Sequence, residues 1–217
     1  TDSCIIRVEE QGMMIDGSKD DQARNRVNPC LAYLGIDHVD VALNTHPHYD
    51  HMTGFIDVMK QAHIDRMLIG GSENVNWVVK QAVHRLREDG TVVERVHDGD
   101  VITFGPVTMT MIQRLHTDYP INDTSVMTMI RYRDCSLFMT GDIENRAQRA
   151  LYTEPPEIDL KCDILKYPHH GHVAIDQTLY GILEPELVIV TAHEYPARRG
   201  FAFLKRYDTP ALSTWYG

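Results

Sequence analysis

Residues His46-Pro47-His48-Tyr49-Asp50-His51 place three imidazoles and a carboxylate within six positions, after the apolar run Val39-Asp40-Val41-Ala42-Leu43 and before Gly54. This donor set constrains the fold more than any other feature. An apolar strand must end where loop backbone can turn several side chains toward one point. His46 and His48 alternate, project the same way and can hold one metal ion. Asp50 and His51 follow half a turn later and can hold a second. Imidazole and carboxylate, with no thiolate, are ligands for zinc and also for manganese or iron. With 12 histidines and 20 aspartates in 217 residues, chance supplies on the order of 0.003 such patterns. The competing account is a polar loop with surface histidines.

Four later or earlier segments carry related chemistry. Leu137-Phe138-Met139-Thr140-Gly141-Asp142 reads as a strand ending in Gly-Asp, and Leu165-Lys166-Tyr167-Pro168-His169-His170-Gly171 as a strand ending in Pro-His-His-Gly. Met13-Met14-Ile15-Asp16-Gly17-Ser18 is a strand followed by Asp-Gly, and His116 lies 70 residues after His46. Together these resemble the signature of the metallo-β-lactamase superfamily. The nearest likeness is to the free-standing relatives of the C-terminal domain of the competence protein ComEC, through Asn122-Asp123-Thr124-Ser125, Thr140-Gly141-Asp142-Ile143-Glu144 and the Leu-Lys-x-Pro-His-His-Gly segment. The likeness runs from residue 1 to about 195. It departs at His172, where relatives carry Ser, and at Thr191-Ala192-His193-Glu194-Tyr195-Pro196, where they carry an Asn- and Gly-rich loop.

The resemblance implies an α/β (α+β) fold, an αββα sandwich of two mixed sheets with helices outside, formed by residues 1–217 as one domain. The chain begins within what resembles the turn after a first strand, so that strand is expected before residue 1. The resemblance further implies a two-metal hydrolase. His46, His48 and His116 would hold one ion, and Asp50, His51 and His170 the other, with Asp142 bridging. His170 is preferred to His169 because relatives elsewhere carry Pro-Gly-His-Gly, with the ligand just before the last Gly. His169 would then contact substrate or a ligand. Asp16 would orient a ligating histidine through its second ring nitrogen.

Other residues have two readings each. His172 and His193 follow apolar strands, where a neutral imidazole can donate to a phosphate or protonate a leaving alkoxide; each can equally be a solvent-facing loop residue. Together with Asp50 they are the candidate catalytic side chains. Asn122 and Ser125 can bind substrate oxygen or close their own loop. Asp142 can also cap the helix expected at 143–153. Arg198 and Arg199 can meet an anion or lie on a solvated helix face. His38, His63, His84 and His97 are expected on the surface.

Composition bounds the partner. The net charge is −10, whereas a dedicated nucleic-acid binder shows a basic face. Two divalent ions would make the site locally positive. A small anionic ester therefore suits the chain better than a long polyanion. The leading expectation is hydrolysis of a phosphodiester or related phosphoester, using water made acidic by two divalent ions, with zinc preferred and manganese or iron admissible. A lactone, thioester or amide near Tyr119, Tyr195 and Trp215 is the alternative bond, and a non-catalytic metal-binding module the alternative role. No Gly-x-Ser-x-Gly elbow or Walker loop occurs, and the Gly70-Gly71-Ser72 turn lacks the Lys of a phosphate loop. No apolar run reaches the roughly 20 residues of a membrane span. Cys4, Cys30, Cys135 and Cys162 are widely spaced, with Cys4, Cys135 and Cys162 expected in the core as free thiols, which suits a cytoplasmic protein.

Patterning predicts strands at 4–8 and 12–16 joined near Gly12, a helix at 22–35, a strand at 39–43, a helix at 54–63, a strand at 67–69 and a helix at 73–88 with Trp77, Val78, Ala82 and Leu86 on its face. A strand-rich stretch then runs from 91 to 132, with a loop at 116–123 and a hairpin at 124–140 turning at Arg133-Asp134. Helices follow at 143–153, 175–184 and 197–207, with strands at 162–167, 187–190 and 211–215.

Overall fold

The computed structural model describes residues 2–71 and 76–215. The chain divides into two compact units, 1–96 and 97–217, each built on one mixed sheet. Residues 73–75 of the expected helix and Ser72 of the Gly70-Gly71-Ser72 turn lie outside the described residues.

In the first unit, β1 (Cys4–Val8) and β2 (Gln11–Ile15) form an antiparallel hairpin. Its turn is Glu9-Glu10, with Glu9 at φ 55°, and not the expected Gly12, which lies inside β2. A helical stretch follows: α1 (Asp20–Gln22), a π-helical turn over Ala23–Val27, and α2 (Asn28–Leu34), which stops on Gly35 at φ 68°. Pro29 explains the break in what patterning reads as one helix. It has no N–H for a carbonyl four residues back, and its ring crowds that carbonyl; the wider π-turn relieves both. Val27 and Leu31 are buried, as their spacing predicts.

β3 (His38–Asn44) runs parallel to β2 and to β4 (His63–Ile69). Between them come α3 (Tyr49–Met52) and α4 (Phe55–Val58). The helix expected at 54–63 is thus shorter, and the strand expected at 67–69 longer. His63-Ile64-Asp65 goes to the strand because it pairs in register with His38 and Val39 and buries Ile64. α5 (Trp77–Glu88) is capped by Asn76, whose side chain accepts the Val78 N–H at 2.8 Å. Its buried face is Val79, Ala82, Val83 and Leu86: Ala82 and Leu86 are buried as expected, whereas Val78 is half-buried and Trp77 is 72% exposed. Burying each large aliphatic on that face contributes about 1.5–3 kcal/mol. β5 (Val92–Arg95) closes the sheet in the order β1-β2-β3-β4-β5. The core centres on Met14, Leu31, Phe55, Ile64, Met67 and Leu86.

The second unit begins with antiparallel strands β6 (Val101–Phe104), β7 (Val107–Ile112), β8 (Met127–Tyr132) and β9 (Cys135–Met139). The β8–β9 turn is Arg133-Asp134, as patterning predicts. Next come α6 (Asn145–Thr153), β10 (Ile164–Lys166), α7 (Gln177–Leu183), β11 (Leu187–Val190), α8 (Arg198–Leu204) and β12 (Ala211–Ser213). From β9 to β12 the pairing is parallel, and the sheet order is β12-β11-β10-β9-β8-β7-β6. Met127, Phe138, Leu151, Leu165, Tyr167 and Leu179 anchor its core.

The cysteines are free thiols, but only Cys162 is buried; Cys4 is half-buried and Cys135 exposed. Cys135 is the first residue after the hairpin turn, where the strand has not yet entered the core. No described helix is long and apolar enough to cross a membrane.

Candidate metal centre

In the first unit, β3 delivers Thr45 to His51 at the end of a fully buried stretch. His46 and His51 are buried, with their ring centroids 4.3 Å apart. His46 Nε2 faces His48 Nδ1 at 2.9 Å, and Asp50 Oδ2 lies 3.9 Å from His51 Nε2. Asp16, itself 2% exposed, organises the group. Its carboxylate accepts the Thr45 N–H and the Thr45 hydroxyl, each at 2.8 Å, and lies 2.8 Å from His51 Nδ1. Because the Thr45 hydroxyl donates to Asp16, its oxygen accepts from His46 Nδ1, 3.0 Å away. When neutral, both rings therefore carry the proton on Nδ1, which leaves the lone pair on Nε2. This is how outer partners prepare histidines to ligate a metal.

Backbone packing keeps Asp16 in place. Gly17 N–H donates to the His51 carbonyl at 2.8 Å, and Gly54 N–H to the Ser18 carbonyl at 2.9 Å. A Cβ on Gly54 would lie 1.9 Å from the Gly17 carbonyl oxygen. Only glycine lets the two loops approach this closely. Asp16 and Ser18 take φ values of 58° and 61°, sparsely populated for residues with side chains.

In the second unit, Asp142 is 3% exposed and lies against the two histidines of the Pro-His-His-Gly turn. His170 Nε2 lies 3.1 Å from Asp142 Oδ2, and His169 Nε2 lies 4.0 Å from it. His170 Nδ1 faces Thr191 Oγ1 at 2.8 Å, whereas His169 Nδ1 faces Glu144 Oε1 at 2.9 Å. His169, His170 and Gly171 all have positive φ, at 44°, 53° and 80°. Consecutive left-handed residues with side chains cost roughly 1–3 kcal/mol each and persist where surrounding structure imposes them. Gly171 is imposed by Ala197, the residue before α8: a Cβ on Gly171 would meet the Ala197 Cβ at 2.8 Å.

One role differs from the sequence reading, and for Ser125 the loop-closing alternative holds. Asp142 does not cap α6. Asp123 does, accepting the Glu144 N–H at 2.6 Å and the Ala147 N–H at 3.2 Å. Ser125 is fully buried, accepts the Asp142 N–H at 3.2 Å and donates to the Asn122 carbonyl at 2.7 Å. It serves the backbone of the Gly-Asp turn. Asn122 donates its side-chain amide to Glu144 Oε1 at 2.9 Å.

Lys166 is the residue that sequence reasoning passed over. It is 3% exposed, and its Nζ donates to the Gly141 carbonyl at 2.8 Å and lies 3.5 Å from Asp142 Oδ1. A buried lysine needs a carboxylate and hydrogen-bond acceptors. A lone lysine ending the apolar run Ile164-Leu165 is the signal that could have found it.

The remaining candidates lie on the second unit's surface. His116 Nε2 is 3.4 Å from Glu154 Oε2, and its ring packs on Tyr119 at 4.6 Å. His172 lies 5.2 Å from the His169 ring and 6.1 Å from the His170 ring. Desolvation first, then the His169 and His170 charges, hold its pKa below the ordinary histidine range. With Val173, Pro196, Arg198 and Arg199 it lines a cleft of about 340 Å³. His193 Nδ1 accepts the Tyr195 N–H at 3.2 Å, so a neutral ring carries its proton on Nε2; its edge meets Trp215 at 5.1 Å.

Imidazole and carboxylate donors with prepared lone pairs fit divalent ions. ComE operon protein 3 of Bacillus subtilis is 26% identical over 196 residues, covering 86% of this chain and 25% of that protein. The chain thus spans about a quarter of the length of that relative. A variant of CmlA, a diiron β-hydroxylase from Streptomyces venezuelae, superposes with a TM-score of 0.69 at 17% identity, over 96% of this chain and 50% of that one. The metallo-β-lactamase fold protein YhfI of Bacillus subtilis superposes with a TM-score of 0.61 at 12% identity, over 96% and 86%. The family model described as the beta-lactamase superfamily domain matches residues 13–184, a run that includes the histidine motif, Asp142 and His170. The chain belongs to the metallo-β-lactamase superfamily.

Proposed function

We propose that this protein is a metal-dependent hydrolase of a phosphodiester or related phosphoester. The observation that carries the metal chemistry is the Asp16 carboxylate, which fixes the tautomers of both His46 and His51. His46, His48, Asp50, His51, Asp142 and His170 are the proposed ligands. Two divalent ions held by such donors supply an acidified water, with a pKa near about 7, and neutralise charge on the substrate. Zinc is the preferred ion, and the diiron neighbour keeps iron in contention.

The chain's own residues do the rest. Arg198 and Arg199 beside His172 form the observation that favours a phosphoester. Paired guanidiniums suit phosphate oxygens. His172 of that cleft would donate to the phosphate, and His193, which is outside its lining, would protonate a leaving alkoxide from Nε2. The acidic body, with a net charge of −10, favours a small substrate over a long nucleic acid. An acyl substrate is the second reading, supported by Tyr195 and Trp215, which are 72% and 60% exposed near His193.

The test is turnover of bis-p-nitrophenyl phosphate, a lactone and a thioester by protein loaded with zinc, manganese or iron(II). The phosphodiester should be cleaved, and activity should vanish with a chelator and return with metal. Cleavage of the lactone or thioester without the phosphodiester would move the assignment to acyl chemistry.

A further inference from the structure

β3 and β4 are parallel neighbours with His38 opposite His63. Positions two apart on a strand share a face. His38 and Asp40 therefore share a face of β3, His63 and Asp65 share one of β4, and the register puts all four together. The side chains meet there. His38 Nε2 lies 2.8 Å from Asp65 Oδ2, and His63 Nε2 lies 3.5 Å from Asp65 Oδ1. One donor atom each from His38, Asp40 and Asp65 falls within 4.8 Å of the others. The His38 and His63 rings are 6.0 Å apart, within reach of one ion bound about 2.0–2.1 Å from each ring nitrogen.

We propose that His38, Asp40, His63 and Asp65 form a second, independent divalent-metal site, suited to zinc, that pins β3 to β4. Two imidazoles and two carboxylates are a complete tetrahedral set for that ion. Outer contacts already favour ligation. Asp40 Oδ2 is anchored by the Gly12 N–H at 2.8 Å, which leaves its other oxygen for the ion. Asp89 Oδ2 lies 3.6 Å from His63 Nδ1, on the ring edge away from Asp65, where a carboxylate orients a ligating imidazole.

Charge points the same way. Asp40, Asp65 and Asp89 bring three carboxylates to two histidines that are neutral when they ligate. A divalent cation offsets most of that charge. The site lies at the start of β3, and the histidine motif follows its end. Six steps of about 3.3 Å put roughly 20 Å of strand between them. The two sets cannot share an ion. The effect of this site is structural: an ion there ties together the two strands on which the motif loop is built.

The competing account is simple ion pairing, with the histidines protonated and no metal bound. Zinc calorimetry separates the two. Protein carrying His46→Ala, His48→Ala and His51→Ala should still bind one zinc ion outside the motif. Adding His38→Ala and His63→Ala should weaken that event by more than about tenfold, since losing ligands costs at least what losing an outer partner does. As a check that needs no motif substitutions, His38→Gln/His63→Gln in the otherwise native chain should lower bound zinc by one ion per chain and leave phosphodiester turnover unchanged. Circular dichroism should show each variant folded. No zinc binding by the motif-deleted protein, or the same zinc content with and without His38 and His63, would overturn the site. Either result leaves the hydrolase assignment untouched.

Discussion

The Asp16 carboxylate lies 2.8 Å from His51 Nδ1, and the same carboxylate accepts both the N–H and the hydroxyl of Thr45. One buried acid thus sets the orientation of two histidines that are five residues apart. Asp16→Ala should lower zinc affinity about 10–100-fold, the usual effect of removing an outer partner of a ligating histidine. It should also cost about 1–3 kcal/mol of stability, because the buried Thr45 N–H loses its acceptor. Competition with a chromophoric chelator measures the first, and urea unfolding in chelator the second. Asp16→Asn tolerates the positive φ and should restore part of the stability with little of the affinity.

Lys166→Met tests the buried cation. The Gly141 carbonyl would lose its donor, and the Asp142 carboxylate would lose the ammonium 3.5 Å away. Breaking a buried pair by deleting one partner costs about 3–5 kcal/mol. A bound divalent ion would itself compensate Asp142. Unfolding midpoints of the variant should therefore recover more on adding zinc than those of the native chain. An equal shift in both proteins would mean that Lys166 serves the carbonyl and not the carboxylate.

Asp123→Ala should destabilise the start of α6 by about 0.5–2 kcal/mol, the range for lost helix caps. The Glu144 and Ala147 N–H groups lose their acceptor together. Chemical denaturation gives the size of the effect. Zinc affinity should fall much less than in Asp16→Ala, since Asp123 touches the helix and none of the proposed ligands among its described contacts.

Much of this was legible in the sequence because the dominant signals are local. Alternation in Val107-Thr108-Met109-Thr110-Met111 gave β7, and the apolar run before His46 gave β3. The Arg133-Asp134 turn was also readable. What failed depended on partners distant in sequence. His63 looked like the end of a helix until β3 offered it a pairing partner. Trp77 looked like a face residue, but α5 is rotated so that Val79 and Val83 are buried. Asp142 fits the cap pattern, yet Asp123, 21 residues before Glu144, takes the cap. Lys166 ends an apolar run, but its partners, the Gly141 carbonyl and Asp142, lie 25 and 24 residues before it in the chain.

The cysteines give a prediction with a pH window. Burial pushes the Cys162 thiol up to about 12, while Cys30 and Cys135 are exposed. Iodoacetamide at pH 8 should label Cys30 and Cys135 and spare Cys162 until the chain unfolds. The sign of the stability effect follows from proton counting. Above about 8.5 the unfolded thiol ionises while the folded one keeps its proton. The unfolded state then binds fewer protons, so stability falls as pH rises from there toward about 12. Cys162→Ala should flatten that alkaline slope.

The cleft of His172, Arg198 and Arg199 makes the substrate class testable by kinetics. Arg198→Ala/Arg199→Ala should raise KM for a small phosphodiester and leave KM for a neutral lactone unchanged, because only the former brings an anion to the guanidiniums. His172→Ala should lower kcat by about 10²–10⁴, the contribution of a positioned proton donor, with zinc content unchanged. His193→Ala should do the same only for poor alkoxide leaving groups, since a good one such as p-nitrophenolate needs no proton. Salt separates small substrates from nucleic acids. Binding dominated by phosphate neutralisation weakens steeply between about 50 and 200 mM salt, and a site with two arginines should show a shallow slope. A steep slope with single-stranded DNA, together with processive cleavage, would show that the acidic composition had been given too much weight.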